Sequence, residues 1–160
     1  MKRAVRFLVL LLTIGIGIAG VMLQLRQQEQ DPEQVVITQT EFVKTDAATP
    51  PSDGPWVGRE LPDNWSQTNP GQSGYGWYRA TFSLAAVPTE AGAAYRPTAS
   101  TTYQMYVNGA DIGSSGGMVG PITRSMGVPR LDPIAPQFLR PGVNELLVRL
   151  RVASWAALWP

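Results

Sequence analysis

Carboxylates are the side chains through which this chain could transfer protons, and the candidates are Glu60, Asp63, Asp111 and Asp132. Two of them could act as general acid and general base if the fold held them close together. Their spacing in the sequence does not single out such a pair. The chain has no histidine and no cysteine, which excludes His-dependent triads, thiol nucleophiles and thiolate metal ligands. We therefore expect no catalytic residue, no metal site and no cofactor in these 160 residues.

Tryptophan and arginine side chains are stronger candidates for binding a ligand. Trp77 and Arg79 alternate with Tyr78 in a predicted strand, so they face the same side of a sheet. An indole ring can stack on a sugar, and a guanidinium can bind a carboxylate or hydroxyl groups. Both also have structural interpretations, a packed indole and a surface ion pair. Trp56 and Trp65 precede this strand in a loop-rich segment, where we expect them to cover one end of the fold, and Trp65 is a further candidate contact.

A glycine-rich segment, VNGADIGSSGG, follows another predicted strand. It is unsuited to phosphate, because no helical pattern follows it to supply a helix N-terminus. Asn108-Gly109 is typical of a type I′ turn, in which both central residues have positive φ, so we predict a β-hairpin there. The later glycines are predicted to form a corner at one end of the fold. Ser114 and Ser115 lie between them and are small donors that can contact a sugar hydroxyl.

Strands with a period of two must position these residues. Polar and apolar residues alternate in three segments, WYRATFSL, TTYQMYVN and NELLVRLRV. Pro141-Gly142 predicts a turn just before the third segment. VVITQTEFV, residues 35–43, is either a first strand or an extended lead-in. No sustained helical period occurs after residue 26, so the sequence predicts an all-β domain built as a two-sheet sandwich.

The N-terminus contains an apolar segment, Phe7 to Leu23, of 17 uncharged residues. This length is at the short end of what a membrane-spanning helix needs. Three basic residues precede it, so the positive-inside rule places the N-terminus in the cytoplasm and the remainder across the membrane. A signal peptide cleaved near Ala19 is one interpretation. The apolar run continues through Val21 and beyond that site, which favours an uncleaved anchor.

Three regions are therefore expected. Residues 1–26 form the anchor or signal peptide, residues 27–55 form a polar, Pro-rich linker with a candidate first strand, and residues 56–160 form the β domain. From Gln27 onward the chain has nine basic and 12 acidic residues, and 9 − 12 = −3. A region of that charge has no electrostatic basis for binding nucleic acid.

Three consecutive motifs, GWYRATF, YQMYVNGADIGSSGG and FLRPGVNELLVRL, carry a family resemblance. In order and spacing they resemble the galactose-binding-like jelly-roll domain, the sugar-binding domain of family 2 glycoside hydrolases. The preceding LPDNW and the N-terminal apolar segment are similar, more narrowly, to extracytoplasmic domains of membrane-bound bacterial histidine kinases and diguanylate cyclases. The resemblance covers roughly residues 56–152. It implies a jelly roll whose last strand lies beyond this chain. The sequence departs from this resemblance at Arg124 to Gly127, where relatives have a polar aromatic stretch.

The resemblance implies an interaction domain rather than an enzyme. Our first hypothesis is the extracytoplasmic sensing domain of a bacterial signalling receptor, of which these residues are an N-terminal portion. Such a protein lies in the inner membrane, with its C-terminal domain in the periplasm. The alternatives are a non-catalytic carbohydrate-binding domain of a glycoside hydrolase-like envelope protein and a purely structural envelope protein. The expected partners are the membrane, a carbohydrate or other small ligand, and other envelope proteins, but no nucleic acid.

Overall fold

The computed structural model describes residues 34–96, 102–120 and 129–153, and about half of them lie in strands. The strands are β1 (Gln39–Lys44), β2 (Val57–Glu60), β3 (Gly74–Leu84), β4 (Gly92–Arg96), β5 (Thr102–Val107), β6 (Ala110–Ser114), β7 (Arg130–Ile134) and β8 (Gly142–Val152). The helical elements are one turn of α-helix, α1 (Trp65–Thr68), and one 3-10 turn (Pro136–Phe138). The prediction of an all-β fold is confirmed for this part of the chain.

Two antiparallel sheets contain these strands. Six strands form the large sheet in the order β2-β1-β3-β8-β5-β6, and β4 pairs with β7 in a small sheet. β3 and β8 are the longest strands and pair along their whole length, from Gly74 opposite Val152 to Leu84 opposite Gly142. The predicted alternations in β3, β5 and β8 therefore share one register, because β8 lies between the other two strands.

The inner face of the large sheet, which packs against β4 and β7, carries the main core. Tyr103, Met105 and Val107 of β5 are buried there with Ile112 of β6 and Ile134 of β7. The alternate residues of β8 and Phe82 of β3 pack against this cluster. Burial of these side chains is the main favourable term for joining the two sheets.

The opposite, outer face of the large sheet is partly covered by residues 45–56. Val43, Trp77 and Leu147 form a second buried cluster there, and Trp56 packs against it. The Trp77 indole N–H donates to the backbone carbonyl of Ala47 at 3.1 Å. This loop therefore holds the Trp77 part of the outer face away from water.

Aromatic rings fill the end of the inner face near β1. The Phe42 ring centroid lies 5.5 Å from that of Trp65 and 4.8 Å from that of Tyr78. Gly76 makes this packing possible, because a Cβ at that position would lie 2.4 Å from a ring carbon of Phe42. The Tyr78 hydroxyl donates to Asp63. Burial, and then this hydrogen bond, raise the pKa of Tyr78 well above its usual value.

The N-terminal predictions have mixed outcomes. The expected membrane segment, Phe7 to Leu23, lies outside the described residues. Within the described ranges, no helix combines the length and the apolar character that crossing a membrane requires. The segment predicted as a first strand or lead-in contains β1, which begins at Gln39 and pairs with both β2 and β3.

Candidate ligand-binding face

Trp77 and Trp65, both predicted as ligand contacts, are used within the fold. Trp77 is 1% exposed, with its ring 5.8 Å from that of Tyr106, so no face of the indole is open to a ligand. Trp65 belongs to α1, and its indole N–H donates to the carbonyl of Gln72 at 2.8 Å. The edge of its ring packs on Phe42. Both indoles therefore stabilise packing between loops and the large sheet.

Arg79 forms a surface ion pair, which was the structural alternative to ligand binding at this position. Its Nη2 and Nε atoms lie 2.8 Å and 2.9 Å from one carboxylate oxygen of Glu41, across the β1–β3 pairing. The guanidinium also lies over the ring of Trp56, 4.3 Å from its centroid. The charge of Arg79 is therefore compensated, and its planar faces are partly covered.

Asn108 and Gly109 form the turn between β5 and β6, with φ of 50° and 85°. Both values are positive, as a type I′ turn requires. The Asn108 side chain also accepts a hydrogen bond from the backbone N–H of Glu145 at 3.0 Å. Its amide group donates to the carbonyl of Phe138 at 2.8 Å. Asn108 thus joins its own hairpin to the segment that leads into β8.

Pro141 and Gly142 lie in the second predicted turn, and Gly142, with φ of 79°, begins β8. The turn is organised by Asn144, which is completely buried. Its side-chain oxygen accepts hydrogen bonds from the backbone N–H of Arg140 and from Asn108. Its amide donates to the carbonyls of Arg140 and Gly142. The two turns are therefore one hydrogen-bonded unit at the same end of the sheet.

Ser115 and Ser114 lie in different environments although they are adjacent. Ser115 is 6% exposed, and its hydroxyl oxygen accepts a hydrogen bond from the Tyr103 N–H at 3.0 Å. Its own N–H donates to the Tyr103 carbonyl, which extends the β5–β6 pairing by one residue. Ser114 is exposed and lies directly across from Gln104. Of the two serines, Ser114 is therefore the one that a ligand can reach.

The glycine-rich corner is attached to the large sheet through its backbone carbonyls. The Tyr75 hydroxyl donates to the carbonyl of Met118 at 2.8 Å. Arg151 donates to the carbonyls of Gly117 and Gly120, at 3.4 Å and 2.7 Å. The corner is thus fixed beside β3 and β8 and bounds one side of the outer face.

A polar patch remains exposed on the β5–β6 side of the outer face, and we call it the open patch. It consists of Gln104, Tyr106, Asp111, Ser114 and Arg149. All five side chains are exposed or half-buried. Gln104 lies between Ser114 of β6 and Arg149 of β8 in the register, and its amide donates to Asp111 at 2.8 Å. The strand pairing therefore brings side chains from three strands together on one surface.

Tyr106 and Arg149 supply the aromatic surface and the positive charge of the open patch. In the described part of the chain, no hydrogen-bond partner faces the Tyr106 hydroxyl. Burial raises the pKa of this hydroxyl, the charge of Asp111 raises it further, and Arg149 lowers it. The Arg149 guanidinium lies 4.9 Å from the ring centroid of Tyr75 and 5.8 Å from that of Trp77. The Tyr106 hydroxyl is thus influenced both by the negative charge of Asp111 and by the positive charge of Arg149.

The four carboxylates considered for proton transfer accept hydrogen bonds from four different side chains. Glu60 accepts from Gln39, Asp63 from Tyr78, Asp111 from Gln104 and Asp132 from Tyr103. Among the described residues no three carboxylates lie close enough together to hold a metal ion. Each of these carboxylates is therefore accounted for by a structural or surface contact.

Asp132 belongs to a buried polar cluster that joins the two sheets. The Tyr103 hydroxyl lies 3.0 Å and 2.8 Å from the two carboxylate oxygens of Asp132. Arg96 lies over the Tyr103 ring, 3.6 Å from its centroid, with Nη2 3.9 Å from the nearer Asp132 oxygen. Burial, and then the bond to Asp132, raise the pKa of Tyr103, and Arg96 opposes this increase.

Sequence reasoning did not select Gln104, Tyr106 or Arg149, and it considered Asp111 for proton transfer only, although part of the signal was present. The alternation in TTYQMYVN places Gln104 and Tyr106 on the polar side of their strand, and the alternation in NELLVRLRV does the same for Arg149. The missing information was the strand order, because β5 and β8 become neighbours only in the folded sheet.

The fold is shared with parts of larger enzymes. The sequence matches no protein-family model and no curated protein. The structure is similar to a beta-glucuronidase from an uncultured Clostridium sp., with a TM-score of 0.52 and 14% identity over 71% of this chain and 21% of that one. It is also similar to a GH2 beta-galacturonidase from Eisenbergiella tayi bound to galacturonate, with a TM-score of 0.51 and 16% identity over 70% of this chain and 18% of that one.

A third similar structure is a beta-glucuronidase from Bifidobacterium dentium complexed with coumarin-3-O-glucuronide, with a TM-score of 0.50 and 16% identity over 71% of this chain and 19% of that one. The chain thus spans about a fifth of the length of these enzymes. None of the three is a sensor protein, so the narrower resemblance to sensor domains gains no support from them. The described residues have a fold that occurs within GH2 glycoside hydrolases, as the resemblance to their sugar-binding domain implies.

Proposed function

We propose that this domain is a non-catalytic carbohydrate-binding module and that its ligand binds to the open patch. The observation that carries the proposal is the grouping of a half-buried tyrosine ring with four polar side chains on one exposed sheet surface. Sugar rings present apolar C–H faces together with hydroxyl groups, and such a surface complements both. The likeness of the fold to structures named as glycoside hydrolases adds support.

Each group of the open patch has a role in this proposal. The Tyr106 ring packs on a sugar face, and its hydroxyl hydrogen-bonds to the sugar. Gln104 offers its side-chain oxygen, since its amide already donates to Asp111. Ser114 offers a hydroxyl that can both donate and accept. Adjacent strands lie about 4.8 Å apart, so these side chains cover a surface comparable with a small oligosaccharide.

The proposed module binds without hydrolysing its ligand. Glycoside hydrolysis generally uses two carboxylates on opposite sides of the scissile bond. The five residues of the open patch include one carboxylate, Asp111. An extracytoplasmic sensor domain, a membrane anchor and a periplasmic location stay predictions that rest on the sequence alone.

Isothermal titration calorimetry tests the proposal, with the full 160-residue chain in a mild detergent and a panel of neutral and acidic oligosaccharides. We expect Gln104→Ala and Tyr106→Ala each to weaken binding about tenfold, which corresponds to about 1.4 kcal/mol. The matched control is Gln67→Ala, because Gln67 is exposed on α1, outside the open patch.

Two results would reject the proposed function. In the first, the folded wild-type protein binds no oligosaccharide of the panel. In the second, it binds one, but Gln104→Ala and Gln67→Ala leave the affinity equally unchanged. Melting curves of the three variants establish that each is folded before its affinity is compared.

A further inference from the structure

Two arginines on β8, Arg149 of the open patch and its neighbour Arg151, give the outer face a local positive charge. Arg149 and Arg151 are two residues apart, so they project from the same side of the strand. In the register they lie opposite Trp77 and Tyr75 of β3. The Tyr75 ring centroid is 4.9 Å from the Arg149 guanidinium and 6.0 Å from that of Arg151. Both arginines are half-buried.

Neither arginine has a carboxylate within ion-pair distance among the described residues. Three of the four other arginines in the strands do have one: Arg59 has Asp63, Arg79 has Glu41 and Arg96 has Asp132. Arg149 donates instead to the carbonyl of Asp46 at 3.2 Å, and Arg151 donates to two carbonyls of the glycine-rich corner. A guanidinium has five N–H donors, so these bonds orient the two groups and leave their charge uncompensated.

Stacking on aromatic rings prepares this pair for an anion. A guanidinium held over a ring loses less conformational freedom on binding than one that moves freely in water. Its planar fork also matches the two oxygens of a carboxylate better than an ammonium does. The two side chains are therefore oriented in advance for a planar anionic group.

The surrounding charge argues for a specific anion rather than for any polyanion. The chain from Gln27 onward has a net charge of −3, so this pair is a local exception and not part of a basic surface. Asp111, at the β6 side of the open patch, would repel a second negative group. Its carboxylate is instead suited to accept hydrogen bonds from hydroxyls.

We propose that the carbohydrate bound at the open patch is acidic, a uronate whose carboxylate binds between Arg149 and Arg151. Its hydroxyl groups then face Gln104, Tyr106 and Asp111. This inference rests on the proposed function and goes beyond it, because a neutral sugar would bind at the open patch without a charge-assisted contact to Arg149 and Arg151.

The test compares an acid with its methyl ester, which removes the negative charge and adds one methyl group. The full chain is titrated with two disaccharides that each carry a single uronate, one a glucuronate and one a galacturonate, and with the methyl ester of each. We expect at least one acid to bind about tenfold or more tightly than its ester, as one charge-assisted contact implies. Raising the salt concentration should weaken binding of the acid and leave the ester unaffected.

Arg151→Gln and Arg149→Gln should each reduce or remove the difference between acid and ester. Arg140→Gln is the matched control, because Arg140 is exposed at a distant turn and also donates to a backbone carbonyl, that of Val143. Arg149 packs on two rings, so Arg151→Gln decides the outcome if Arg149→Gln fails to fold.

The outcomes separate this inference from the proposed function. If acid and ester bind equally, or if neutral glycans alone bind, the uronate inference is wrong and the carbohydrate module stands. If the acid binds tightly but Arg151→Gln behaves like Arg140→Gln, the arginine pair is not the carboxylate site and the inference is again wrong. If no probe and no glycan binds to the folded protein, both proposals fail.

Discussion

The Tyr103 hydroxyl is the most informative single group to remove from this fold. It is completely buried, and it connects β5 in the large sheet to Asp132 of β7 in the small sheet. The substitution Tyr103→Phe keeps the ring, and therefore the apolar packing and the contact with Arg96. It removes only the two short contacts between the hydroxyl and the carboxylate.

The size of the expected loss of stability depends on which partner the Asp132 carboxylate keeps in Tyr103→Phe. Asp132 is 5% exposed, and its remaining partner, Arg96, lies at 3.9 Å, which is beyond hydrogen-bonding distance. A hydrogen bond to a charged group contributes about 1.5–3 kcal/mol, and a buried carboxylate that loses one is not resolvated. We expect Tyr103→Phe to lower the free energy of unfolding by about 2–3 kcal/mol. For a domain of this size the midpoint of thermal unfolding should fall by roughly 10 °C.

Denaturant titration followed by tryptophan fluorescence measures this change. The control is Tyr95→Phe, because Tyr95 is 64% exposed on β4 and loses the same atom. A double-mutant cycle with Asp132→Asn should give a coupling energy of about 1 kcal/mol or more. If Tyr103→Phe destabilises the protein no more than Tyr95→Phe, the hydroxyl does not help to hold the sheets together, and the reasoning is refuted.

Three other substitutions or conditions test the packing. Gly76→Ala should cost about 1–3 kcal/mol of unfolding free energy because its Cβ would overlap Phe42, whereas Gly58→Ala, with no atom within 4 Å, should cost little; urea titration of the two variants compares them. Asn144→Ala should cost about 2–3 kcal/mol in the same assay, because the buried Asn144 side chain makes the hydrogen bonds that hold the turn before β8, and an equal effect of Gln137→Ala, at an exposed position, would contradict this. Stability should be independent of tyrosine ionisation below pH 10 and should fall as pH rises above it, because the unfolded chain then loses phenolic protons that the folded protein keeps. Denaturant titration at several pH values measures this slope, which should approach about 1.4 kcal/mol per pH unit from Tyr78, the tyrosine whose pKa is raised furthest. Tyr103 and Tyr106, whose pKa values are also raised, should add to it, and a flat profile above pH 10 would refute the reasoning.

The sequence predicted the long strands and the tight turns because both depend on local patterns. Alternation over eight or nine residues identified most of β3, β5 and β8, and the Asn108-Gly109 pair identified the hairpin. The short strands β2, β4 and β7 were not predicted. β4 is alanine-rich and β7 contains Pro133, so neither has the β-branched alternation that marks a strand, and pairing in the small sheet supplies what local preference does not.

The candidate site was harder to predict because it depends on which strands become neighbours. Alternation placed Trp77 opposite Tyr78, but it contained no information that residues 45–56 would cover the indole. The partner of Arg79, Glu41, lies 38 residues away along the chain. Arg149 and Gln104 were each visible as polar positions, but only the pairing of β5 with β8 brings them side by side.

The place of β8 in the large sheet has a consequence for biosynthesis. Although it is the last described strand in the chain, it lies between β3 and β5 in the middle of the sheet. As the protein is translated, β3 and β5 leave the ribosome with the edges that β8 will occupy still unpaired, and such edges are sites of aggregation. The nascent chain thus cannot complete its sheet until residue 152 has emerged, and a shortened product that lacks this strand should depend on chaperones rather than fold.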